Sequence, residues 1–340
     1  MKNLPRIAAV LMILCLACSK KGSDPPAPPP APAIFAKGAD ISWITEMEAA
    51  GKKFYTPVGL EQDCFQLLKN LGMNTIRLRV WVNPASGWNN TTDVVAKAIR
   101  ARDQGMRIMI NFHYSDSWAD PGQQTKPAGW NSMDVTALRN ALAQHTVSVL
   151  TALKNSNITP EWVQVGNETN DGMLWPEGKA STNMVAFAQL VNAGYDAVKS
   201  VSPSSKVIVH LSNGWNNNLF RWLFDGLRNN GGKWDVIGMS LYPGPADWQN
   251  LNNLCLANMN DMVARYDTEV MVVETGMSWD NPSGSKAFLS DLIGKTRSVS
   301  RGKGLGVLYW EPQSYGGWQG YTLGAFDNNG RPTAALDAFN

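Results

Sequence analysis

Along the chain, apolar runs of strand length alternate with longer stretches whose apolar residues recur at helical spacing. From Phe35 onward eight strand-like runs can be read, around Ala39 to Ser42, Thr75 to Trp81, Arg107 to His113, Trp162 to Gly166, Val207 to Leu211, Val236 to Leu241, Val270 to Glu274 and Gly306 to Trp310. The stretches between them carry one-sided apolar patterns: Leu60, Cys64, Leu67, Leu68 and Leu71 share one helical face, as do Leu251, Leu254, Cys255 and Met262. Gly72, Gly105 and Gly302 sit where such helices should stop before the next strand. Eight alternations without an obvious repeat or a second domain predict an α/β fold, a single (β/α)8 TIM barrel over residues 35–340. In that fold the C-terminal ends of all strands meet at one mouth, where barrel enzymes keep their chemistry.

The front of the chain breaks this pattern. Lys2 and Arg6 precede an apolar run from Ile7 to Leu16, too short to span a bilayer and right for a signal segment over residues 1–17. The stretch Leu14-Cys15-Leu16-Ala17-Cys18-Ser19 resembles a bacterial lipobox, with Cys18 as the lipidated residue after the cut. Cys15 stands where the usual lipobox has an aliphatic residue, so an ordinary secretory signal is the alternative. Either reading places the protein outside the cytoplasm, as a lipoprotein at the cell surface or in the periplasm, or as a secreted protein. Residues 18–34 interleave Pro25, Pro26, Pro28, Pro29, Pro30 and Pro32 with alanine, a composition for an extended spacer rather than a core.

Composition narrows the function. The formal charge is +2 for 340 residues, and residues 1–36 hold Lys2, Arg6, Lys20 and Lys21 against Asp24, which leaves about −1 for the remainder. No basic stripe points to nucleic acid. Beyond the signal and Cys18 only Cys64 and Cys255 remain, on helices preceding strands two and seven that are not barrel neighbours, so two buried free thiols are expected rather than a disulfide. His113, His145 and His210 lack the spacing of a zinc site, and His145 reads as a packing or surface residue.

The strand ends carry Asp40, Arg77, Arg79, Trp81, His113, Asn167, Glu168, His210, Tyr242, Glu274, Trp310 and Glu311. Such a set suits a sugar better than a core, since carboxylates and amides bond hydroxyls while aromatic faces stack on the C–H surface of a pyranose. The chain has 14 tryptophans, and many of them, including Trp88, Trp118, Trp130, Trp175, Trp215, Trp248 and Trp318, fall near strand ends or the loops that follow. Val163-Gln-Val-Gly-Asn-Glu168 and Glu269-Val-Met-Val-Val-Glu274 are apolar strands that each finish in a glutamate. Either glutamate alone could be a rim ion pair with Arg77 or Arg79. Two of them at one mouth fit a retaining glycosidase, which holds a proton donor and a nucleophilic carboxylate ~5–5.5 Å apart. Asp116 and Trp118, with Asp120, either shape the loop after strand three or touch the sugar.

These residues also resemble a known family. Gly38-Ala-Asp-Ile-Ser42, Arg77-Leu-Arg-Val-Trp-Val-Asn-Pro84, Phe112-His-Tyr-Ser-Asp-Ser-Trp-Ala-Asp-Pro121, Gln164-Val-Gly-Asn-Glu168, Leu241-Tyr-Pro243 and Tyr309-Trp-Glu-Pro312 look like the motifs of glycoside hydrolase family 53, the arabinogalactan endo-β-1,4-galactanases. The resemblance runs from about Phe35 to the C-terminus. It implies Glu168 as acid/base, Glu274 as nucleophile, and a galactose-binding set drawn from Asp40, Arg77, Arg79, His113, Asp116, Trp118, Asn167, His210, Tyr242 and Trp310. The implied substrate is β-1,4-galactan, cut internally by a monomer that needs no organic cofactor and meets a membrane only through the Cys18 lipid. Some bacterial members bind a structural calcium in long loops after strands seven and eight. The loop after Glu274 is short and offers Asp280, Asn281 and a few hydroxyls, which argues against that ion. Another retaining endoglycanase of the same clan, acting on mannan or glucan, and a non-catalytic glycan-binding lipoprotein are the alternatives.

Overall fold

The computed structural model describes residue 1 and residues 34–340. The expected signal segment and the Cys18 lipid site lie outside the described residues, as does the proline-rich spacer up to residue 33. Eight strands, β1 (Ala36–Asp40), β2 (Thr75–Val80), β3 (Arg107–Phe112), β4 (Trp162–Val165), β5 (Lys206–Leu211), β6 (Val236–Leu241), β7 (Glu269–Thr275) and β8 (Gly304–Trp310), close in chain order into a parallel barrel. The helices are α1 (Ile44–Ala49), α2 (Cys64–Asn70), α3 (Thr91–Asp103), α4 (Val135–Asn155), α5 (Ala180–Val201), α6 (Asn217–Asn229), α7 (Trp248–Tyr266) and α8 (Pro282–Arg297). The expected (β/α)8 barrel is therefore the observed fold.

Local chemistry explains where the elements differ from the pattern. β1 runs Ala36–Asp40 rather than to Ser42 because Asp40 Oδ1 accepts the Ser42 N–H at 3.0 Å and its hydroxyl at 2.5 Å, a side-chain turn that ends the strand. Helix α2 starts after Asp63, whose Oδ1 caps it by accepting the Gln66 N–H at 3.1 Å. Leu60 is left outside the helix, 67% exposed. On α7 the buried face runs through Cys255, Met259, Met262 and Val263, and Leu254 lies one position off it, partly exposed. Cys64 and Cys255 are both buried and free.

The barrel interior has two layers. Towards the N-terminal end, Ala36, Met109, Trp162, Ile208, Val236, Met271, Val273, Leu305 and Leu308 form an apolar plug. Trp162, 1% exposed, is its largest member, and truncating a tryptophan so placed costs roughly 3–5 kcal/mol. Further along the strands, by two or four residues past the plug, the inward positions turn polar, with Asp40, Asn111, Gln164, His210 and Ser240 buried alongside Arg77 of β2. An irregularity in β7 matters to the site. Met271 and Val273 belong to the interior plug, so strict alternation would turn Glu274 outward. The register with β6 instead slips, Met239 pairing Val272 and Ser240 pairing Glu274, and this bulge turns Glu274 to the mouth.

Candidate active site

The mouth of the barrel holds a cleft of about 820 Å³ lined on its floor by Asn167, Glu168, Tyr242 and Glu274, and on one wall by Trp43, Trp81, Trp118 and Trp310. Glu168 gets there through a turn, not through strand alternation. β4 ends at Val165, Gly166 follows at φ +84°, and a Cβ there would fall 2.6 Å from Thr169 Cγ2. Glu168 itself has φ +43°, a left-handed conformation that is uncommon for a non-glycine residue and costs of order 1–3 kcal/mol. Neighbours hold it there. The Glu168 N–H donates to His210 Nδ1 at 3.3 Å, and the Thr169 N–H donates to the His210 carbonyl at 2.8 Å.

The two glutamates share the cleft but not an environment. Glu274 Oε1 lies 2.7 Å from Arg77 Nη2, and its Oε2 accepts the Tyr242 hydroxyl at 3.1 Å. Glu168 Oε1 accepts the Ser240 hydroxyl at 2.7 Å. Because Ser240 is the ladder partner of Glu274, the Glu168 carboxyl is tied to the strand beside the one that carries Glu274. Glu168 is pushed up to about 8 by burial and then by the Glu274 charge, against the Ser240 hydrogen bond and Arg77. Burial raises Glu274 as well, but Arg77 and the Tyr242 hydroxyl hold it down. The asymmetry favours the proton on Glu168 and the charge on Glu274.

Arg77 is wholly buried and every guanidinium nitrogen is engaged: Nη1 with Asp40 Oδ2 at 2.7 Å, Nη2 with Glu274 and with Asn167 Oδ1 at 3.1 Å, Nε and Nη2 with Gln164 Oε1 at 3.3 and 3.1 Å. Asn167 Oδ1 also accepts from Asn111 Nδ2 at 3.1 Å, while its Nδ2 donates to the Ala119 carbonyl at 2.8 Å. Arg79 is buried differently. Its Nη1 meets Glu311 Oε1 at 3.1 Å, its Nε and Nη2 have no hydrogen-bond partner among the described residues, and its guanidinium lies 4.3 Å from the Trp118 ring centre, 5.2 Å from Trp81 and 5.5 Å from Trp43. Edge-to-face contacts among Trp43, Trp81, Trp118 and Trp310 over centroid distances of 5.1–5.9 Å make the wall continuous. Burial holds His113 and His210 well below the usual imidazole range, so both are neutral.

A match to family models fits this geometry, since the pattern described as glycosyl hydrolase family 53 covers residues 36–339. The chain belongs to glycosyl hydrolase family 53. It is thus a glycoside hydrolase. An uncharacterised protein from Niallia circulans is 34% identical over 329 residues, covering 88% of this chain and 89% of its own. An arabinogalactan endo-β-1,4-galactanase from Thermothelomyces thermophilus is 35% identical over 303 residues, covering 82% and 90%. A solved fungal β-1,4-galactanase superposes with a TM-score of 0.84 at 32% identity, covering 90% of this chain and 99% of that one.

Against this family 53 frame, the expected site residues separate into two groups. Glu168, Glu274, His113, Trp118, Asn167, Tyr242 and Trp310 line the cleft. Asp40, Arg77, Arg79 and His210 do not: they are buried beneath it, Arg77 and His210 bonded to residues that do, Asp40 to Arg77, and Arg79 against the tryptophan wall. Asp116 is a loop anchor, its Oδ1 and Oδ2 accepting the Asn83 and Ala128 N–H groups at 2.9 Å each. His145 packs against Phe112, Tyr114 and Trp130, and burial lowers it to about 4. Trp43, Ser240 and Tyr321 were not singled out by the sequence pattern, although Trp43 and Tyr321 line the cleft and Ser240 holds Glu168. Among the described residues, no group of three or more His, Cys, Asp or Glu side chains is placed to hold a metal ion.

Proposed function

We propose that this enzyme hydrolyses β-1,4-galactosidic bonds within galactan chains, with Glu274 as nucleophile and Glu168 as acid/base, and with retention of the anomeric configuration. The observation that carries this is the asymmetry of the pair: Glu274 is clamped by a guanidinium and a phenol, whereas Glu168 has one hydroxyl donor and a raised pKa. Glu274 attacks the anomeric carbon while Glu168 gives its proton to the departing oxygen. The Glu274 charge is consumed in the glycosyl ester; Glu168, now a carboxylate, takes a proton from water as the water oxygen attacks the anomeric carbon, which breaks the ester, releases the sugar and restores the Glu274 carboxylate and the Glu168 proton. Galactan is favoured over mannan or glucan by the likeness to arabinogalactan endo-β-1,4-galactanases at 34–35% identity. The aromatic wall supports stacking along several sugar units, which suits internal cleavage.

The same proposal includes export, with residues 1–17 removed, Cys18 lipidated and residues 18–34 spacing a monomeric barrel from the membrane; the support is the N-terminal sequence pattern. Product profiles from linear galactan, mannan and β-glucan test the substrate, and a family of galacto-oligosaccharides from galactan alone is expected. Glu168→Gln should lower turnover of galactan by roughly 10²–10⁴-fold and Glu274→Gln by at least as much, with oligosaccharide binding retained by calorimetry. Hydrolysis near the parent rate by either variant would reject the assignment.

A further inference from the structure

Beneath Glu168 lies a chain of buried groups whose donors and acceptors can be worked out from the amide at its base. Gln164 is fixed as an amide: its Oε1 accepts from Arg77 Nε and Nη2, so its Nε2 is the donor, to the Gly166 carbonyl at 3.1 Å and to His210 Nδ1 at 2.8 Å. The Glu168 backbone N–H points at the same Nδ1 from 3.3 Å. Asn167 Oδ1, an acceptor, also approaches Nδ1, at 3.2 Å, but a proton there would face the Gln164 amide donor at 2.8 Å as well as the Glu168 N–H, so the geometry favours a neutral ring with its proton on Nε2. Nε2 lies 2.7 Å from Ser240 Oγ and therefore donates to it. The serine hydroxyl, having accepted from the ring, gives its own proton to Glu168 Oε1 at 2.7 Å.

We propose that Ser240 and His210 are positioning residues for the proton donor, dedicating Glu168 Oε1 to the Ser240 hydroxyl so that Glu168 Oε2 alone carries and delivers the catalytic proton. The inference rests on the acid/base reading of Glu168. His210 is fully buried and Ser240 nearly so, and neither lines the cleft. One hydrogen bond donated to the carboxylate also favours its charged form, which restrains a group that its surroundings otherwise push upward. Those surroundings are Glu274 from β7, Arg77 from β2, Asp120 from the loop after β3, and His210 and Ser240 from β5 and β6. A Glu168 with no such partner would hold its proton so firmly that it served poorly as the base of the second step, and with two free oxygens it would present the proton in either of two directions.

The test reads the titration of Glu168 rather than activity alone. Ser240→Ala removes the donor without adding bulk, and Ser240→Thr keeps a hydroxyl. For Ser240→Ala the basic limb of kcat/KM on galactan is expected to move up by about one pH unit, as loss of a hydrogen bond to a charged group implies, with the acidic limb in place. Ser240→Thr should return the basic limb towards the parent position. A carboxyl-carbon NMR titration of Glu168 in the folded full chain gives the same answer if turnover falls too low to profile. A basic limb or a carboxyl titration that stays where it was, or moves down, overturns the proposal. Glu168→Gln separates the two readings. If that variant cleaves galactan at the parent rate, the acid/base assignment itself fails; if it is inactive while Ser240→Ala titrates as the parent does, only the present inference fails.

Discussion

The two mouths of the barrel are both ringed with ion pairs of similar length, and they behave as different materials. At the C-terminal mouth, Arg77 lies 2.7 Å from both Asp40 and Glu274, with side-chain exposures of 0–7%. At the N-terminal mouth, Lys206 and Glu269, the first residues of β5 and β7, approach to 2.5 Å with exposures of 38% and 28%, and Arg107 and Glu161 to 2.5 Å with 20% and 40%. Distance does not distinguish them; water does. Charges removed from solvent must be balanced by their neighbours, so the upper network is obligatory once any member is present, whereas each lower pair has solvent as a substitute partner. The proposed mechanism needs the upper network to be dry, because only a dry site lets one carboxyl hold a proton near neutral pH while its neighbour stays charged.

Arg77→Met should break this contrast most severely. It leaves Asp40 and Glu274 as buried carboxylates without a cation, a situation that costs roughly 3–5 kcal/mol when one partner of a buried pair is removed. Glu274 would rise further and lose its charge, so kcat on galactan should fall by at least about 10³-fold. Chemical denaturation and steady-state rates on the same preparation check both parts. A variant within about 1 kcal/mol of the parent would mean that water reaches the upper network after all.

Glu168→Gln tests the same dry environment from the other side, through stability. Glu168 titrates near 8 in the folded chain and near the ordinary glutamate value when unfolded. Between those two values the unfolded chain has released the proton that the folded chain still holds, so stability falls as pH rises through this window. The contribution is complete below about pH 4 and gone above about 8. Glutamine keeps the neutral shape and cannot ionise, so Glu168→Gln should match the parent near pH 4.5 and exceed it at pH 8 by roughly 1–4 kcal/mol. Melting curves across that range decide it, and a difference that does not grow with pH would remove the basis for calling Glu168 the proton holder.

How much of this was visible in the sequence follows from what a one-dimensional pattern encodes. Eight apolar runs gave the barrel because burial on both faces of a parallel strand leaves continuous hydrophobic stretches, and Glu168 and Glu274 stood out because charge rarely ends such a run. Alternation tells which side a residue faces, but not how deep it lies. Hence Asp40, Arg77, Arg79 and His210 read as sugar contacts although they sit one layer beneath the cleft. The bulge that turns Glu274 inward left no mark in its strand, since Val272 and Val273 are equally apolar. Ser240 was invisible for the opposite reason: a small polar residue near a strand end is ordinary, and its importance comes from His210 and Glu168 arriving at 2.7 Å from two other strands.

The smallest effect is expected at the lower mouth. Lys206→Ala removes a lysine whose Nζ bonds both Glu269 oxygens, at 2.7 and 2.5 Å, which on distance alone would rank with Arg77 and Glu274. Both side chains are about one-third exposed, however, so the freed Glu269 carboxylate can be hydrated where it stands. The lysine also recovers rotamer freedom that the pair had suppressed, which offsets part of the lost attraction. The variant should therefore stay within about 1 kcal/mol of the parent, lose what difference it has at high salt, and turn over galactan unchanged, because the apolar plug around Trp162 separates it from the carboxylates. Denaturation at low and high ionic strength measures this directly. A loss of several kcal/mol, or a change in kcat, would mean that the plug transmits strain from one mouth to the other and that the two ends of the barrel are not independent.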